Sequence, residues 1–152
     1  MSADGRYRYM LWRAWQLSGW RLMFVMLNPS TALVADDATI RRCAGFARRE
    51  GAGGFIVVNL FALRSTDPAA LMTASATAIG PENELWVKRA TEASRRTIVA
   101  WGANEAVRPC DVARLQSVVG RELWCLGTTK SGAPCHPLRL RRDTPAQRWP
   151  AS

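Results

Sequence analysis

Lysine is almost missing from this sequence, with Lys88 and Lys130 the only two, and His136 is the only histidine. No run of about twenty uncharged apolar residues exists, so no membrane-spanning helix is expected. The first residues, Met1 to Gly5, have neither the basic start nor the apolar stretch of a secretory leader. A soluble, cytoplasmic protein is therefore expected. The four cysteines, Cys43, Cys110, Cys125 and Cys135, form no CxxC pair, and a lone histidine cannot make a His-x-x-x-His pair. That spacing argues against a zinc site, and a cytoplasmic chain of this size does not need disulfides. No metal and no cofactor is expected. GxxxxGK[ST] and GxSxG are also absent, and GAGG at Gly51 to Gly54 precedes a strand-like run, where a dinucleotide fingerprint would follow one.

What is present is arginine, which supplies nearly all of a net charge of +9 on 152 residues that are 48% apolar. This length and composition fit one domain over residues 1–152 with a real core. Arginine grips phosphates in a bidentate manner, which favours a polyanionic partner. A plain solvated surface is an equal alternative, because the basic residues are spread along the chain. They are densest in LRLRRDTPAQRWPAS, and residues 141–152 are expected to be a loose basic tail, either a phosphate-contacting arm or a frayed end.

Short apolar runs alternate with amphipathic ones. RLMFVML from Arg21, GFIVVNLF from Gly54, RTIVAWG from Arg96 and ELWCLG from Glu122 have the length and content of buried parallel strands. RYRYMLWRAW resembles an edge strand. Between them, DDATIRRCAGFARREG places Ile40, Cys43, Ala44, Phe46 and Ala47 on one helical face, with Asp36 or Asp37 as cap and Gly51 as terminator. GPENELWVKRATEASRR predicts a second helix with Leu85 and Ala93 on its stripe, and PCDVARLQSVVG a third with Val112, Leu115 and Val119 inward. The fold class expected is α/β in three layers, with a central mainly parallel sheet of about four strands plus an edge strand.

Ligands of open parallel sheets bind beyond the carboxyl ends of the strands. The polar residues at those ends are Asn28, Ser30 and Thr31 after the first core strand, and Asn59, with Phe61 and Arg64 beyond it, at the second. The Gly-rich GTTKSGAPCHPLRL, with Lys130 and His136, follows the last. Asn28 is held extended by Pro29 and presents a carboxamide, although Asn28-Pro29 also reads as a turn with Ser30 or Thr31 as a cap. An amide at Asn59, flanked by apolar residues, needs a partner or a ligand. His136 and Lys130 offer hydrogen-bond donors to an anion or a carbonyl oxygen.

Together, FVMLNPSTALVADDATIRRC, VVNLFALRSTDP, GPENELW, VAWG and LGTTKSGAPCHPLRL resemble a bacterial and phage family known as domain of unknown function 1643, over roughly Tyr9 to Leu140. LNPS, VVNL and HPLRL also resemble, more distantly, three motifs of the uracil-DNA glycosylase superfamily. That second resemblance implies a glycosylase-like fold and implies residue roles. Asn28 would orient the attacking water, Asn59 would pair with the edge of an extruded base, and His136 would donate to a base oxygen. Leu138 or Leu140 would fill the vacated stack, and Phe61 could stack on the base. HPLRL lacks the serine of the superfamily's HPSP. The four-cysteine iron-sulfur cluster of some branches is not expected, because the amino-terminal pair is missing.

The function expected is recognition of a nucleobase, with DNA or a nucleotide as partner, and hydrolysis of the glycosidic bond of uracil or a modified base. One alternative is a non-catalytic DNA- or nucleotide-binding module. Another is an enzyme of free nucleosides or nucleotides in which Ser30, Thr31, Arg41 and Lys130 hold a phosphate. A third is an interaction protein using Trp12, Trp15 and Trp20.

Overall fold

Alternate residues of the strand Arg21–Met26 go to opposite sides of the sheet: Leu22, Phe24 and Met26 join one apolar cluster, and Met23 and Val25 the other. The strand Gly54–Asn59 does the same with Phe55 and Val57 against Ile56 and Val58. Both faces of the sheet are thus covered, and three layers follow from the period-two geometry of a strand. The computed structural model describes residues 1–31, 37–73 and 75–150.

Among these residues the strands are β1 (Leu11–Ala14), β2 (Arg21–Met26), β3 (Gly54–Asn59), β4 (Arg96–Val99), β5 (Leu123–Cys125) and β6 (Gln147–Trp149). The helices are α1 (Ala38–Arg49), α2 (Pro68–Thr73), α3 (Ser75–Ile79), α4 (Asn83–Glu92) and α5 (Pro109–Val119), with a 3-10 turn at Pro137–Arg139. The sheet order is β1-β3-β2-β4-β5-β6. The inner pairs β3-β2, β2-β4 and β4-β5 are parallel, and the outer pairs β1-β3 and β5-β6 are antiparallel. The chain therefore reverses its direction of travel across the sheet around β2, which opens a crevice at the carboxyl ends.

Helix α1 covers one face through Cys43, Phe46 and Ala47, while Val87 and Ala90 of α4 and Leu115 and Val119 of α5 cover the other. Asp37 caps α1 by accepting from the Ile40 amide at 2.9 Å. Gly51, with φ +81°, takes the left-handed turn beyond the helix end that a Cβ would resist. Asp36, the other cap expected, lies outside the described residues. In α4 the inward stripe is Asn83, Val87 and Ala90, and Leu85 is exposed, because the helix starts two residues after Pro81.

The sheet has six strands where five were expected. Part of the tail expected to be loose forms β6. Arg148 pairs with Trp124, the Trp149 ring meets Trp101 edge-on at 5.2 Å, and the Trp149 indole donates to the Gly132 carbonyl at 3.0 Å. An aromatic contact and a strand pairing hold that segment against the entropy of a free end. No helix among the described residues is long and apolar enough to cross a membrane.

Candidate functional site

At the carboxyl ends of β2 and β3, on the face covered by α1, lies a cavity of about 410 Å³. Asn28, Ser30, Asn59 and His136 line it, and so do Arg8, Asp37 and Trp101. Its floor is apolar, with Met26, Leu27, Val57 and Ile40. An apolar pocket with a few converging polar groups is the usual form of a small-molecule or base site.

Asn59 ends β3, and the backbone beside it is clamped. The Asn83 amide nitrogen donates to the Asn59 and Leu60 carbonyls at 3.0 and 3.2 Å, and Arg114 donates to the Leu60 carbonyl at 2.9 Å. The side chain of Asn59 is different: the residue is 5% exposed, yet its amide has no hydrogen-bond partner among the described residues. The amide opens onto the cavity, where whatever enters can bond to it. Asn28 is fixed through its nitrogen, which donates to the Ser65 carbonyl at 2.9 Å and to the Pro29 carbonyl at 3.3 Å. Its carbonyl oxygen is the group left to accept.

His136 sits at the end of a pinned loop. The Gly102 amide donates to the Pro134 carbonyl at 2.8 Å and the Cys135 amide to the Gly127 carbonyl at 2.9 Å. Gly102 has φ +77° and a Cβ there would stand 3.7 Å from the His136 Cβ, so the end of β4 and this loop approach closely. Nδ1 of His136 accepts the Leu138 amide at 3.2 Å, so the neutral ring carries its proton on Nε2. Burial, and then the charge of Arg139, hold its pKa below the ordinary imidazole value, against an opposing pull from Asp37. At neutral pH the ring is an uncharged donor.

The structure separates the other expected site residues. Phe61 is fully buried in the cluster under α4 and α5 and cannot stack in the cavity. Leu60 and Phe61 both turn to that side, which breaks the alternation that would have carried Phe61 to the face of Asn59. Trp101 touches the cavity wall, but it too is buried in that cluster, with its ring edge-on to Trp149. Thr31 is exposed and Lys130 is exposed in its loop, and neither lines the cavity. Arg64 donates to the Gly5 and Thr31 carbonyls at 3.0 and 2.9 Å, tying the amino-terminal segment to the loop after β2. Leu138 is 44% exposed on the 3-10 turn, and with Arg41, Arg42 and Arg142 it borders a second groove along α1. Arg8 and Trp101 were not singled out from the sequence.

An α/β sheet with a polar cavity at its carboxyl edge is the class that fold and site define. Within that class, residues 8–138 match the model of the family described as Protein of unknown function (DUF1643), and the chain belongs to that family. No curated protein and no solved structure matches the chain.

Proposed function

We propose that the cavity receives a nucleobase extruded from DNA, and that the protein hydrolyses the glycosidic bond of uracil or a modified base. The same reading takes the three-layer sheet as uracil-DNA glycosylase-like. The observation that carries it is the convergence of Asn28 and Asn59, from the ends of β2 and β3, and His136, from the loop after β5, on one cavity with an apolar floor.

In this reading the Asn59 amide pairs with the edge of the base, and the apolar side chains Met26, Leu27, Val57 and Ile40 pack against the ring. Water attacks the sugar carbon while the bond to the base nitrogen breaks and its electron pair stays on the base. The Nε2–H of His136 donates to the base oxygen as negative charge gathers there, an interaction that strengthens toward the transition state. The Asn28 oxygen orients the water but cannot accept its proton. Asp37, the one carboxylate at the wall among the described residues, takes it. Leu138 fills the vacated stack, and arginines on the surface hold the flanking phosphates.

The test is release of free base from labelled oligonucleotides carrying uracil and other modified bases. The expected result is release that falls about 100-fold in Asn28→Ala and His136→Ala. Tight oligonucleotide binding with no release of any base favours a second reading, a binding module without chemistry. That reading draws on the Asn28 amide, whose nitrogen is already used by the Ser65 and Pro29 carbonyls.

A further inference from the structure

Arg8 is the one cation at the wall of the cavity among the described residues. It arrives there through β1, which docks antiparallel on β3 with Leu11 opposite Val57, and its own amide donates to the Ala62 carbonyl at 3.0 Å. Its guanidinium is only partly exposed and has neither a hydrogen bond nor an ion pair among the described residues. The charges that act on it do not cancel: Arg64 and Arg13 repel it, and Asp37 attracts it without a direct ion pair. The Asp37 carboxylate already accepts the Ile40 amide. Guanidinium stays charged at any ordinary pH, so a partly desolvated fork of five donors lines the same cavity as the Asn59 amide.

We propose that Arg8 holds a phosphate group of the same nucleotide whose base enters the cavity. Planar, bidentate binding of phosphate oxygens is the chemistry that suits an arginine so placed. The chemistry is common to the phosphodiester beside an extruded base and to the phosphate of a free nucleotide. Asn59 then reads the base and Arg8 reads the phosphate, from opposite ends of one nucleotide. This inference rests on the reading of the cavity as a base pocket, and it can fail separately.

The experiment is equilibrium binding of the full chain to inorganic phosphate, deoxyuridine, deoxyuridine 5′-monophosphate and a uracil-containing single-stranded oligonucleotide. Wild type is compared with Arg8→Gln, Arg8→Lys and Asn59→Ala, after thermal melts confirm that each variant folds. The expected result is that Arg8→Gln weakens at least one phosphate-bearing probe about tenfold or more and leaves deoxyuridine unchanged, with partial rescue by Arg8→Lys. An effect confined to the oligonucleotide identifies a diester, and one confined to the mononucleotide a monoester. If Arg8→Gln leaves every phosphate-bearing probe unchanged, or weakens deoxyuridine equally, the assignment is overturned. If Arg8 governs phosphate while Asn59→Ala changes no base-bearing probe, the base pocket fails and the phosphate site stands.

Discussion

Two arginines at opposite edges of the sheet show how differently the same side chain is used. At the amino edge, Arg121 donates to the Ser94 carbonyl at 2.8 Å, to the Ser94 hydroxyl at 2.8 Å and to the Thr97 hydroxyl at 2.9 and 3.2 Å. At the carboxyl edge, Arg8 has no such bond among the described residues. Burial is the main influence lowering the pKa of both, yet only one has been given partners for its charge. A pair of carboxamides differs in a related way: Asn83 donates to two carbonyls while its Oδ1 is buried without a partner, and the Asn59 amide opens onto the cavity. Polar groups bonded within the protein hold a fold together, and ones that face a cavity are available to something that enters it.

If that distinction is sound, stability and binding should separate along it. Arg121→Met should cost the most, about 2–4 kcal/mol in chemical denaturation, because it strands the Ser94 and Thr97 groups. Asn83→Ala should cost about 2–3 kcal/mol by releasing the backbone at Asn59 and Leu60, and should weaken base binding as well. A smaller effect is expected from pH. The folded pKa of His136 is depressed, so above the ordinary imidazole value the ring is neutral in both states and nothing is lost. As pH falls through that value the unfolded chain takes the proton first, and stability declines. Denaturation curves of His136→Gln should show a flatter decline over that window. Smallest of all, Arg8→Met and Asn59→Leu should change stability by less than about 0.5 kcal/mol, or raise it, while weakening nucleotide binding about tenfold or more. A loss as large as that of Arg121→Met would break the comparison.

The four core strands were legible because a strand buried on both faces is a continuous apolar run, and RLMFVM and GFIVVN are such runs. Asn28, Asn59 and His136 were legible for a related reason: each interrupts or follows an apolar run at the end where crevices form. Arg8 was not, since its place in the cavity is created by the pairing of Leu11 with Val57, a contact between distant parts of the chain. Strand β6 was hidden in the same way. QRW has no apolar period, and its position depends on Trp149 meeting Trp101 and pairing with β5. The side taken by Phe61 was not legible, because the strand ends at Asn59 and Leu60 and Phe61 then both turn to one side.

The most direct test is a crystal structure of the protein with a uracil-containing oligonucleotide. The account predicts one nucleotide turned out of the strand, its base in the cavity with its edge on Asn59 and its oxygen facing Nε2 of His136. An oligonucleotide held along the arginines of α1 with every base stacked and the cavity empty would contradict it.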